Sequence, residues 1–181
     1  MSCQKIKCCH FLSQIITKKL KIMRTTKQSE FMQEAINLSI ENVKSGKGGP
    51  FGAVIVKDGK IIARGANGVT STNDPTAHAE VVAIRNACKE LGTFQLDGCE
   101  IYTSCEPCPM CLGAIYWARP DRMYFANTKK DAADIQFDDQ FIYNELELHF
   151  TGRKMETRQM MREEALVAFK LWSESISKIE Y

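Results

Sequence analysis

The chain of 181 residues contains no run of 18 apolar residues, so no membrane-spanning helix is expected. No secretory signal is expected either. Near the N-terminus only Phe11-Leu12 and Ile15-Ile16 are apolar, they are broken by polar residues, and no small-residue cleavage site follows. The glycine cluster Gly46-Lys47-Gly48-Gly49 has neither the spacing nor the Gly-Lys-Ser/Thr ending of a phosphate loop. It reads as a turn, or as a close backbone approach near a pocket. There is no internal repeat and no low-complexity stretch, which leaves an ordinary globular chain with enough residues for a sizeable core. A large net charge is missing too, but the small value of +2 is unevenly distributed. Residues 1–24 carry six basic side chains and no acid, leaving 18 basic against 22 acidic residues, a net −4, for the remainder. A mildly acidic body is poorly suited to gripping polynucleotide phosphates, so no nucleic-acid partner is expected.

What is present begins with eight cysteines. Their placement does not suggest a disulfide framework. Cys3, Cys8 and Cys9 crowd the basic N-terminal extension, Cys88 falls inside a helical pattern, Cys99 begins a strand, and Cys105, Cys108 and Cys111 cluster. This pattern fits a reducing, cytoplasmic compartment and a metal site. The extension, residues 1–24, is expected to be flexible, with Met23 as a second candidate start.

From Thr26 the periodicity sharpens. Phe31, Ala35, Leu38 and Val43 recur at helical spacing, and Lys44 to Pro50 stops that helix. Phe51 to Val56 reads as a buried strand, Asp58-Gly59 as a hairpin turn, and Lys60 to Gly65 as the partner strand. A helix capped by Thr76 is expected to bury Val81, Val82, Ile84, Cys88 and Leu91 and to end at Gly92. Gly98 to Thr103 is a third strand, Met110 to Trp117 a helix, and Arg122 to Ala126 a fourth strand parallel to the third. Leu146-Glu147-Leu148-His149-Phe150 alternates as a short fifth strand would. Residues 156–174 carry a helical apolar face with Met160, Phe169 and Trp172. The alternation predicts an α/β fold, a three-layer α/β/α sandwich around a mixed five-stranded sheet, in one domain spanning residues 25–181.

The chemistry-bearing stretch is Ser104-Cys105-Glu106-Pro107-Cys108-Pro109-Met110-Cys111. Cys108 and Cys111, three apart, share one helix face and can share a metal. Thirty residues upstream, Thr76-Ala77-His78-Ala79-Glu80 opens another helix. One imidazole and two thiolates leave a fourth zinc position for water, which marks a catalytic rather than a structural site. The rival is a closed site in which Cys105 supplies a third thiolate. It would do no chemistry and would leave Glu80 without a role. Glu80 itself could merely complement a helix dipole. Two residues from a metal-bound histidine, it is better placed to move protons to and from the metal's water.

The pattern His78-x-Glu80 followed by Pro107-Cys108-x-x-Cys111 resembles that of the zinc-dependent cytidine deaminase-like superfamily. Gly49 to Val54, Asp74 to Glu80 and Thr103 to Cys111 carry the similarity. Asn67, Ile115 to Pro120, Phe137-Asp138-Asp139 and the terminal tyrosine make the chain most similar to the bacterial guanine deaminases within it. The resemblance implies one Zn2+ per chain on His78, Cys108 and Cys111, with Glu80 shuttling protons as zinc-bound hydroxide attacks carbon 2 of guanine. It implies Asn67 hydrogen-bonding the purine, Phe51 packing on its face, and Ala79 and Trp117 among the substrate contacts. It further implies Asp139 at the guanine edge, assisting proton transfer, and Tyr181 closing the pocket from a C-terminal segment exchanged within a homodimer. A nucleoside or tRNA adenosine as substrate, and a zinc-stabilised binding module without catalysis, remain as alternatives.

Overall fold

The structure, a computed structural model, describes residues 25–180. The basic extension, Met23 and Tyr181 therefore lie outside the described residues. The chain divides into two compact units, the first running through Thr128 and the second beginning at Lys129.

In the first unit, helix α1 (residues 25–44) precedes strands β1 (Gly52–Lys57) and β2 (Lys60–Ala66). The one-turn helix α2 (Val69–Thr72) and the longer α3 (Ala79–Leu91) follow, then β3 (Cys99–Cys105), α4 (Pro109–Ala118) and β4 (Arg122–Asn127). The sheet order is β2-β1-β3-β4. β1 runs antiparallel to both neighbours, while β3 and β4 are parallel, joined through α4. The Asp58-Gly59 turn holds β1 and β2 in register, with Lys57 opposite Lys60.

Alternation along the strands supplies a core on each face of the sheet. Val54, Val56 and Tyr102 pack with Phe31 and Ala35 of α1 on one side. Ala53, Ile55 and Ile101 pack with Ala79, Ala83 and Ala87 of α3 and Ile115 and Ala118 of α4 on the other. The α3 face is thus made of alanines more than of the larger Val82, Ile84, Cys88 and Leu91 expected there, which are only partly buried. The reason is close approach: a Cβ on Gly65 of β2 would clash with the carbonyl oxygen of Ala79 and the backbone of Ala83. Small residues on both elements draw the first turn of α3 down onto the sheet.

Four expectations change. The fifth strand at Leu146 to Phe150 is absent from the described residues; the helix Gln140–Glu147 ends there and a 3-10 turn follows, so the described sheet has four strands. Five alternating residues are too few to separate a strand from the end of an amphipathic helix. Thr76 does not cap α3; His78 occupies the N-cap position and Thr76 sits in the preceding loop. Val43 is exposed, because position 42, seven residues after Ala35, lies nearer the buried line of a 3.6-residue helix. The last helix begins at Arg162, not 156, which leaves Met160 outside it and exposed.

The second unit contains α5 (Lys129–Asp134), α6 (Gln140–Glu147), the 3-10 turn Phe150–Gly152 and α7 (Arg162–Glu174). None of its described residues is buried.

Candidate active site

The antiparallel pairing of β1 with β3 places Ala53 opposite Thr103, and that of β1 with β2 places Gly52 opposite Ala66. The start of β1 and the ends of β2 and β3 therefore meet at one edge of the sheet, and the chain leaves β3 there to enter α4. This edge is the crevice outside the carboxyl end of a parallel strand where open α/β sheets bind ligands. Ser104, buried on β3, fastens the corner by accepting a hydrogen bond from Gly52 N at 3.0 Å.

Two helices begin at this edge, and each begins with a sulfur- or nitrogen-bearing side chain. His78 is the N-cap of α3 and Cys108 the N-cap of α4; both have extended backbone, and the His78 side chain makes no capping bond to its helix. Pro109 follows Cys108 at a position where a missing N–H costs nothing. The freed side chains turn to each other. His78 Nδ1 lies 3.6 Å from Cys108 Sγ and 3.4 Å from Cys111 Sγ. All three donor atoms fall within 4.8 Å of one another. A tetrahedral zinc at ordinary Zn–N and Zn–S lengths sets such nitrogen and sulfur donors roughly 3.5 Å apart, so the donor set fits the ion.

Electrostatics favours the same ion. Cys108 is pushed down to about 4, mainly by a hydrogen bond from Cys111 and further by His78, so it is a thiolate at neutral pH. Cys111 is pushed up by that thiolate neighbour and by burial. The two cannot both ionise side by side unless a cation stands between them. His78 is raised by its contact with Cys108.

Glu80, in the first turn of α3, is 5% exposed. Its Oε2 lies 3.5 Å from Cys111 Sγ, and its Oε1 accepts from Thr103 Oγ1 at 3.3 Å. Burial pushes its pKa up, and a carboxyl beside the metal donors is placed to hold and release a proton. Cys105 is not a fourth donor: its thiol donates to the Thr128 carbonyl at 3.6 Å, and among the described residues the cluster holds His78, Cys108 and Cys111. The closed Cys3His alternative falls with that observation.

Of the remaining expected site residues, Phe51 and Asn67 are joined directly, Asn67 N donating to Phe51 O at 3.1 Å. Ala79 is wholly buried against the sheet, and Trp117 is 64% exposed on α4. Asp139 lies in the second unit as the N-cap of α6. The sequence reading missed Asn42 and gave Thr103 and Ser104, though inside the motif, no role of their own. A signal existed for Asn42: it is a polar residue in line with Phe31 and Ala35 on a buried helix face.

The family model for the cytidine and deoxycytidylate deaminase zinc-binding region matches residues 25–127. The chain is 56% identical over 151 residues to guanine deaminase of Bacillus subtilis (strain 168), covering 83% of this chain and 97% of that protein. The X-ray structure of guanine deaminase from Bacillus subtilis superposes with a TM-score of 0.83, covering 84% of this chain and 98% of that one. A tRNA-specific adenosine deaminase of Bacillus subtilis (strain 168) is 41% identical over 100 residues, 55% of this chain and 62% of its own length.

Proposed function

This chain belongs to the zinc-dependent cytidine and deoxycytidylate deaminase family, and from that premise we propose that it hydrolyses the 2-amino group of guanine, giving xanthine and ammonia. The observation that carries the substrate is extent of similarity. Identity runs through nearly the whole of a guanine deaminase, whereas the tRNA-acting relative matches little more than half of this chain. The net −4 of residues 25–181 also argues against a tRNA substrate.

His78, Cys108 and Cys111 would hold the zinc, whose chemistry would be to lower the pKa of water to ~7 and so supply a nucleophile at neutral pH. Glu80 takes the proton that the attacking water gives up and delivers it to N3 of guanine, which makes carbon 2 electrophilic. It then carries a proton to the departing amine, which leaves as ammonia. Thr103 holds the Glu80 carboxylate from the sheet side. Phe51 covers the ring face, and Asn67 with Ala79 and Trp117 completes the purine contacts.

The same proposal assigns Asp139 to the guanine edge and Tyr181 to closure of the pocket, supplied through a C-terminal segment exchanged between the subunits of a homodimer. Exposed Phe169, Leu171 and Trp172 on α7 support a partner surface in the second unit. The protein works in the cytoplasm in this reading, which suits Cys108 and Cys111 as reduced metal ligands. A chain beginning at Met23 tests the extension: unchanged ammonia release would mark residues 1–22 as dispensable.

The test is ammonia release from a panel of guanine, guanosine, cytosine and a tRNA substrate by zinc-loaded protein. Guanine turned over best supports the proposal. Preference for tRNA adenosine or a nucleoside replaces the substrate, and silence across the panel with zinc bound marks a binding module.

A further inference from the structure

Asn42 lies in the last turn of α1 and is only 6% exposed. A buried amide needs partners, and both hydrogens of its Nδ2 have them. One goes to the Gly49 carbonyl at 2.8 Å, the other to the Asn67 carbonyl at 2.8 Å. These carbonyls belong to the segments entering β1 and leaving β2, at the sheet edge where the metal ligands gather. Gly48 makes the junction possible, because a Cβ there would collide with the Asn67 carbonyl oxygen and crowd Asn42 Nδ2.

Asn67 is thereby pinned on nearly every side. Its N–H donates to Phe51 O and its carbonyl accepts from Asn42. Its Oδ1 faces two backbone donors, Gly49 N and Val69 N, each at 3.4 Å. Two N–H groups can face only the oxygen of an amide, so the Nδ2 group must turn the opposite way. No described residue accepts from it there, and no buried side-chain nitrogen or oxygen is without a partner, so Nδ2 keeps some exposure although Asn67 as a whole is 7% exposed.

We infer that Asn42 is a positioning residue: by clamping the carbonyls of Gly49 and Asn67 it holds the Asn67 amide as a hydrogen-bond donor toward an acceptor on the bound base. The inference rests on the proposed deaminase reading and deepens it. A donor fixed in this way favours a base edge carrying a carbonyl or an unprotonated ring nitrogen, both of which guanine has, over one carrying an amino group.

The test is a double-mutant cycle on the full zinc-loaded chain with Asn42→Ala, Asn67→Ala and the pair, using the base that the ammonia panel identifies. Asn42→Ala is expected to raise KM about 10-fold with kcat changed less than about 3-fold, and to cost under about 2-fold once Asn67 is alanine. Zinc content stays at one per chain. Asn42→Ser, which keeps one donor, gives an intermediate KM and takes the place of Asn42→Ala in the cycle if that variant does not fold. Equal losses in both backgrounds, or a fall in kcat alone, overturn the role of Asn42. Failure of the wild type to turn over guanine while another base is accepted overturns the guanine reading, and the cycle on the accepted base still decides Asn42.

Discussion

Residues 25–128 and 129–180 treat their apolar side chains in opposite ways. The first unit wraps two clusters around a four-stranded sheet, with Val54, Ile55 and Ile101 fully buried. The second has α6 and α7 with apolar residues along them and not one buried residue; Phe169 is 74% exposed. A monomeric surface does not ordinarily present so many large apolar side chains together. The difference teaches a division of labour. The metal donors and Glu80 sit where packing fixes them, and the second unit offers faces that require something to cover them.

The strongest attempt to break that division is on Glu80. Glu80→Gln keeps the shape and removes the proton carrier, so kcat for ammonia release should fall by about 10²- to 10⁴-fold while zinc analysis still finds one ion. Retained turnover would move the chemistry out of the first unit. Next in size is stability. Ile101→Ala should cost ~2–5 kcal/mol in urea unfolding, whereas Phe169→Ala should stay within ~0.5 kcal/mol for a single chain and, on the proposed homodimer, instead raise the monomer fraction in light scattering. Equal destabilisation by both would erase the contrast. Asp139→Asn should lower kcat/KM for guanine by about 10-fold with zinc and fold intact; an unchanged value would leave the second unit without a part in substrate handling.

The smallest effect concerns the loop that delivers His78. Asp74 accepts from the Thr76 hydroxyl at 2.7 Å and the Thr76 N–H at 2.8 Å, with Arg85 at 3.5 Å. Led by the Thr76 hydroxyl, these hold its pKa below the ordinary 3.8. A carboxyl depressed on folding stabilises above its unfolded pKa and loses that contribution as pH falls through its folded one. Asp74→Asn should therefore lower Tm slightly at neutral pH, and the difference from wild type should close below about pH 4. A gap that persists in acid would assign the effect to shape and not charge.

The metal site was legible because its signals are local. His78-x-Glu80 and Cys108-x-x-Cys111 fix side chains within one helical turn each, and strand alternation fixed the layers that bring the turns together. What escaped depended on contacts distant in sequence. Asn42 looks like one more polar residue near a helix end until the Asn67 carbonyl, 25 positions away, arrives beside it. The alanine face of α3 is silent in a reading weighted to large apolar residues, and its meaning comes from Gly65 on another element. Leu146 to Phe150 failed for the opposite reason: local alternation was present, but no neighbouring strand exists for it to pair with among the described residues.

His78 and Cys108 occupy the N-cap positions of α3 and α4 with no side-chain oxygen to cap the helices they open. Serine or aspartate there would satisfy those helix starts and add roughly 1 kcal/mol at each. A laboratory selection for heat resistance alone, blind to turnover, would drift toward such replacements and reward a sturdier scaffold emptied of its purpose. Screens meant to harden this enzyme should freeze positions 78 and 108 from the outset.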